Sequence, residues 1–527
     1  MENEESQVQA HKLLGQKNVA ATRKDNFLTK RLRSCCIIPQ RYILGVMGLM
    51  GVCNAYTMRV CLNLAITQMV NKTITNETHA IDPYACSSGD VTGNETEIPK
   101  PYAIFNWNET TQGLILGGFY FGYAATQVPG GYLAEKYGGK WTLGLGLLST
   151  ALFTFLTPFV TRLGGATWLF ILRVLQGMGE GPTMPALMIM LARWVPPNER
   201  SFQGALVFGG AQIGNIFGSY MSGILLANGA NWAYVFYFFG GFGILWFILW
   251  SFLCYSTPNS HPYISKKELA YLNKKVTTAD TANIKDPVPW KGLLRSAPVW
   301  ALVFAAVGHD WGYYTMVTDL PKYSQDVLKN KIETTGIITS VPYLAMWISS
   351  FLFGLVCDLC IKKGWHTIKT GRIIHTTIAA TGPAICIILA SYAGCDSTKA
   401  TIYFVLSMAL MGGFYSGMKV NALDLAPNYA GTLTSLVNTT STFAGIATPY
   451  LIGLLTPDST IAQWRVAFWV CFAVLVGTNV VYIIWADGKQ QWWDDVRQYG
   501  YPPGWKHGPL IRENPEQAEA VQLSDKQ

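Results

Sequence analysis

The sequence predicts an all-α membrane protein of twelve transmembrane helices in two pseudo-symmetric six-helix bundles. Three observations predict it. Half of the 527 residues are hydrophobic and only 13% are charged, where a soluble chain carries about a quarter. The apolar residues fall into windows of about 20, the length that crosses a bilayer. The pattern of the first half then recurs in the second. Gly131, Glu135 and Lys136 close one apolar span, and Gly354, Asp358 and Lys362 close another. Pro197 and Asn198 open a span that reaches Gly223, and Pro427 and Asn428 open one that reaches Gly453 at the same interval. Asn231-Trp232 and Gln463-Trp464 begin the last span of each half. A duplicated six-span unit implies a rocking transporter with its site between the repeats.

Residues 1–40 form a polar, basic N-terminal tail. The first apolar stretch is too long for a cleaved signal, so it is expected to stay as an anchor. The first bundle covers 41–255, with spans near 43–69, 110–133, 141–161, 166–191, 202–227 and 232–255. A polar linker, 256–296, separates it from the second bundle, 297–486. The spans there lie near 297–320, 334–357, 371–392, 401–424, 431–455 and 464–486, and a polar tail, 487–527, follows. Lys30, Arg31, Arg33 and Arg41 precede span 1, and Lys266, Lys267, Lys274, Lys275 and Lys291 lie in the linker. Lys136, Lys140, Arg193, Lys362 and Lys363 follow spans 2, 4 and 8. With twelve spans these share one side, which the positive-inside rule makes cytoplasmic along with both termini. The loop 71–106 faces the other way. It is acidic and carries glycosylation sequons at Asn71, Asn76 and Asn94. The sequon at Asn108 sits close to the membrane, and that at Asn438 lies inside a span. Most of the 11 cysteines fall in apolar segments and read as small core hydrophobes. Only Cys86 and Cys395 lie in outward loops, and no bridge between them is expected. Cys357 and Cys360 lack a second pair for a metal site and read as a helix end.

Ionisable residues inside spans need a partner or a function. Arg59 lies about fifteen residues into span 1, about 22 Å from its start. Arg173 lies about 9 Å below the opposite end of span 4, at a similar depth. Two guanidiniums at one depth are suited to an anion, since each offers a planar fork of donors. Glu180 follows Arg173 by two turns on the same face, about 10 Å deeper, where burial suits a carboxyl to carrying a proton. Gly177, Gly179 and Gly181 give it room; with no lysine and hydroxyl following, they do not form a phosphate loop. In the second half His309 and Asp310 lie in span 7, and His309 is the natural titrating group. Lys419, near the inner end of span 10, is within snorkelling reach of the cytoplasm. Tyr120 and Tyr123 are candidates to line the cavity. Gly131, Glu135, Lys136, Asp358 and Asp424 read as a conformational motif gripping helix ends.

At these residues the chain resembles the major facilitator superfamily, whose signature is the paired Gly-x-x-x-Asp/Glu motif. More narrowly it resembles the anion:cation symporter branch, which holds sialin, the vesicular glutamate transporters and the type I sodium-phosphate cotransporters. The stretches 57–65, 105–107, 122–131, 172–181, 194–201 and 421–427 carry the likeness. The resemblance implies the major facilitator fold, substrate-binding roles for Arg59 and Arg173, and a proton-linked role for Glu180. The chain departs from the vesicular glutamate transporters at Leu116, where they have histidine, and at His309, where they have arginine. It departs from sialin at Gln176, where sialin has an acid. Lys419 stands where relatives have a small or polar residue. The chain looks most like invertebrate members named inorganic phosphate cotransporters by similarity.

The resulting expectation is a symporter that moves a small anion, inorganic phosphate or an organic acid, on a sodium or proton gradient by alternating access. Arg59, Arg173, Tyr123 and His309 would bind substrate, and Glu180 would couple the proton. The alternatives are a proton-coupled exporter of organic anions such as sialate in endolysosomal membranes, and an anion-binding receptor or chloride-conducting pore. No cofactor, metal or nucleic-acid partner is expected, since the +8 charge sits beside membrane spans. No nucleophile, base and orienting group occur together, which argues against an enzyme. The expected partners are the small anion and the lipid bilayer, in the plasma membrane or an endolysosomal membrane. Leu13-Leu14 resembles a sorting signal, but Gln9 stands where its acid belongs.

Overall fold

A computed structural model describes residues 39–71, 104–196, 199–227, 231–280 and 288–494. The expected sites Asn76, Asn94 and Cys86, and the Pro197-Asn198 pair, lie outside them. Each of the twelve expected spans coincides with helix. The chain divides into two units. The first holds α1 (Gln40–Met69), α2 (Glu109–Tyr137) from Gly118 onward, α3 (Gly139–Glu180), α4 (Thr183–Trp194), α5 (Arg200–Leu226), α6 (Ala233–Leu253) and α7 (Lys266–Asp280). Residues 106–117, expected with the first bundle, fall in the second unit.

Two spans merge in α3. Gly165, at φ 61° and ψ −144°, breaks it into two arms. The left-handed φ is open to glycine at no steric penalty. Beyond the break the chain folds back: the Thr150 hydroxyl donates to the Gln176 carbonyl at 3.0 Å, and the Gln176 amide donates to Thr154 and Thr157. Asn108 accepts from the Thr111 amide at 2.8 Å and so caps α2, a structural duty at one of the sequons. Asn71 is exposed. The first unit is locked by indoles: Trp246 Nε1 donates to the Met47 carbonyl and Trp250 Nε1 to the Lys140 carbonyl. α7 docks on the start of α1, where Glu268 accepts from the Gln40 amide at 2.9 Å and pairs with Arg41, which also pairs with Glu199.

The second unit contains α8 (Trp290–Arg295), α9 (Ala297–Tyr314), α10 (Leu320–Asp326), α11 (Ile332–Lys362), α12 (Ile368–Ser391), α13 (Ser397–Met411), α14 (Val420–Leu425), α15 (Ala430–Leu455) and α16 (Ile461–Trp485). π-Helical turns interrupt the helices of spans 7 and 10 in their later parts, Thr315–Asp319 at the end of span 7 and Tyr415–Lys419 in the second half of span 10. The first precedes Pro321, which has no N–H to close the ladder behind it. The second contains Gly417 at ψ −107°. A capping box of Thr460 and Gln463 starts α16, and Asn231 caps the start of α6, so the repeated polar-Trp pairs mark equivalent helix starts. Trp232 and Trp464 are both buried. Asp494 accepts from the Asn428 and Tyr429 amides at 3.1 Å each, closing the start of α15.

Cys395 is disulfide-bonded, with its partner outside the described residues. It lies between α12 and α13 in one of the outward loops of the expected topology, where an oxidising compartment favours the bond.

The close packing that positions the candidate site is set by glycine. A Cβ on Gly177 would lie 1.9 Å from the Phe119 carbonyl oxygen, and one on Gly122 would lie 1.9 Å from that of Val174. The second arm of α3 and α2 therefore touch backbone to backbone. Gly131, in the conformational motif, is different: its Cβ would meet Pro185 at 3.4 Å, an ordinary contact. Gly177→Ala is expected to lower the thermal midpoint of the purified protein by several degrees. Overpacking costs about 1–3 kcal/mol and outweighs the gain in helix propensity of up to about 1 kcal/mol. Gly131→Ala, which gains the same propensity without the clash, is expected to hold or slightly raise the midpoint, as read by fluorescence in detergent.

Candidate functional site

Arg59 rises from α1, and Arg173 and Glu180 from the second arm of α3, all in the first unit. Arg59 Nη2 forms an ion pair with Glu180 Oε1. The depth argument placed Glu180 about 10 Å away along the membrane normal. The side chains close that gap, because each leans toward the N-terminus of its own helix and the topology runs these spans in opposite directions.

Arg173 takes a different set of partners. Its Nη1 donates to Gln176 Oε1 at 3.2 Å and its Nη2 to the Arg59 carbonyl at 3.3 Å. Both are neutral, so its charge has no counter-ion among its bonded partners. Aromatic rings enclose the cluster. The Arg59 guanidinium lies 4.4 Å from the Tyr56 ring, 4.8 Å from Phe119 and 4.9 Å from Tyr123, and the Arg173 guanidinium lies 5.0 Å from Phe119. Such stacking favours a desolvated cation. The three charged residues are nearly inaccessible: Arg59 is 5% exposed, Arg173 3% and Glu180 1%. In this conformation the aromatic cage keeps both arginines from water, so the expected anion site is closed to solvent. Three polar atoms of the cluster have no hydrogen-bond partner, Nε of each arginine and Glu180 Oε2. The cage members Tyr56 and Phe119 were missed from sequence. Tyr56 sits one turn before Arg59, and Phe119 one turn before Tyr123, which is the spacing of residues on one helix face.

In the second unit His309 is buried with its ring stacked on Phe414, 3.6 Å between centroids and nearly parallel. Asp310 hydrogen-bonds Ser441. Lys419 does not snorkel: its Nζ donates to Asn438 Oδ1 on α15 at 2.7 Å. A neutral partner within reach inside the bundle holds it there. Asp424 is gripped by Arg372, Nε to Oδ2 at 2.8 Å, and Arg372 also donates to the Ser416 carbonyl at 2.7 Å. This clamp ties α12 to α14 and to the π-turn between α13 and α14; Arg372 was missed because it lies near a helix end, where a basic residue is ordinary. Asp358 is exposed, and so is Lys136, which lies over the Tyr137 ring at 5.3 Å. Glu135 lies in α2, with its side chain outside the described set.

The model of the Major Facilitator Superfamily matches residues 48–449. A "Putative inorganic phosphate cotransporter" of Drosophila ananassae is 37% identical over 451 residues, covering 85% of this chain and 92% of that protein. Sialin of Homo sapiens is 37% identical over 461 residues, covering 87% of this chain and 91% of that protein. A solved D-xylose-proton symporter superposes with a TM-score of 0.59 at 12% identity, over 85% of this chain and 98% of that one, a likeness of fold. The protein is an integral, multi-pass membrane transporter and not an enzyme. With residues 48–449 matched and relatives at this identity, the chain belongs to the major facilitator superfamily, in its anion:cation symporter branch.

Proposed function

We propose that the protein is a proton-coupled symporter of a small organic or inorganic anion, working by alternating access with both termini cytoplasmic. The carrying observation is the charge count of the caged cluster. Two guanidiniums face one carboxylate, so the buried cluster holds one net positive charge with Arg173 bonded only to neutral groups. Uncompensated charge in a membrane interior is costly, and an anion between the arginines offsets it. Gln176 sharpens this imbalance, since it stands where sialin has an acid.

Glu180 and the substrate compete for Arg59. A deprotonated Glu180 holds that guanidinium; a proton on Glu180 releases it and presents two unpaired forks to an anion. Loading the anion and loading the proton thereby favour each other, which is symport. Tyr123 lines the guanidinium and positions it. His309 is assigned to the packing of the second unit, against the expectation that it binds substrate. Relatives named for phosphate and for sialate leave two substrate classes to separate, and no sodium-binding cage was identified in the sequence.

The test is uptake into proteoliposomes of labelled phosphate, sialate, glutamate and urate, each under a sodium gradient alone and a pH gradient alone. The expected result is saturable uptake of at least one anion driven by the pH gradient without sodium. Sodium-dependent phosphate uptake indifferent to pH would refute proton coupling. Currents far above a carrier's turnover with no gradient-driven accumulation would favour a chloride-conducting pore.

A further inference from the structure

A small, half-open pocket of about 10 Å³ lies in the second unit, lined by Ala305 and His309 of α9, Thr376 and Ala379 of α12, Phe414, and Asn479 of α16 among others. Two of these residues carry a polar atom with no hydrogen-bond partner, His309 Nδ1 and Asn479 Oδ1, and the hydroxyl of a third, Thr376, meets the Tyr482 hydroxyl and keeps capacity for one more bond. All three residues are more than nine-tenths buried. Buried polar groups are almost always satisfied, so two orphaned acceptors facing one small space beside the Thr376 hydroxyl call for an occupant. The volume is that of about one water, which needs about 10–15 Å³ by the same measure and two to four polar partners.

We infer that this cavity holds a single ordered water that bridges His309, Thr376 and Asn479. The hydrogen-bond inventory balances. Asn479 Nδ2 donates to Thr377 Oγ1 at 3.3 Å, which turns its oxygen to the cavity as an acceptor. With the imidazole neutral and its proton on Nε2, Nδ1 is a second acceptor. The water donates to both and accepts from the Thr376 hydroxyl. A metal ion fits poorly, because hard cations take six or more oxygen ligands, whereas these groups supply two oxygens and one nitrogen. The stack of His309 on Phe414 fixes the ring, so Nδ1 cannot swing away to another partner. The water ties α9, α12 and α16 together at one level, and makes His309 the anchor of a buried solvent molecule.

An isosteric pair at Ala379 tests this on the full-length protein in nanodiscs. Ala379→Thr and Ala379→Val add nearly the same volume and differ by one hydroxyl. Both displace the occupant, but only threonine leaves a hydroxyl for the groups it served. The valine variant is expected to melt several degrees below the threonine variant. A valine variant that melts at or above the threonine variant would show a dry cavity and overturn the assignment. Should neither variant fold, a cryo-EM map of the unmodified protein that resolves other interior waters decides: density within hydrogen-bond distance of His309 Nδ1 and Asn479 Oδ1 is expected, and an empty cavity refutes the water.

Discussion

Arg59→Ala is expected to abolish anion uptake in proteoliposomes, by at least about 100-fold. Two effects add. The substitution removes one of the two donor forks proposed for the substrate, and it leaves Glu180 buried in an aromatic cage with its partner gone. Breaking a buried pair from one side costs about 3–5 kcal/mol, and each 1.4 kcal/mol is about a factor of ten. Part of that loss could fall on folding instead of transport, so a second variant separates them. Arg59→Ala combined with Glu180→Ala removes both charges and leaves no orphaned carboxylate. The double variant is expected to recover the wild-type thermal midpoint while remaining inactive. Arg59→Lys retains the charge but not the planar fork, and is expected to keep weak uptake with a raised KM. Normal flux in the double variant would remove Arg59 from the substrate site altogether.

The span pattern was legible because the bilayer imposes it: no other solvent demands twelve apolar windows of nearly equal length. The repeat was legible in the same way, since equivalent helix starts reuse the same chemistry, as Trp232 and Trp464 do. Depth along each span could be counted, and it brought Arg59 and Arg173 to one level of one bundle with Glu180 about 10 Å deeper. What counting residues could not supply is the direction in which long side chains lean. Arg59 and Glu180 looked separated and are paired, because backbone height says little about a guanidinium on a flexible stem. Lys419 failed for a related reason. Its distance from the end of span 10 allowed an escape to water, but Asn438, nineteen residues along on another helix, offered a nearer partner. The π-turns at 315–319 and 415–419 leave no period of their own in the sequence. The cage was half visible: Tyr120 and Tyr123 stood out as polar aromatics, whereas Phe119 looked like any apolar residue and Tyr56 lay hidden in the first span.

Glu180→Gln is expected to keep anion uptake measurable and to remove its dependence on pH. Glutamine has the shape of the protonated acid and carries no charge, so it mimics the loaded state of the carrier. In the wild type, uptake is expected to rise as the loading side is acidified, because in the proposed cycle protonation of Glu180 releases Arg59 for the substrate. With glutamine that release is permanent, and binding no longer responds to protons. Anion-anion exchange, which requires no proton to leave, is expected to survive, while accumulation driven by a pH gradient falls to background. The contrast discriminates between coupling and scaffolding. A purely structural Glu180 would give a variant that loses both modes together or keeps both with the original pH profile. Either outcome would detach the proton from this carboxyl and direct the search for coupling to the second unit, where Asp310 and Ser441 form a buried polar contact beside that of Lys419 and Asn438.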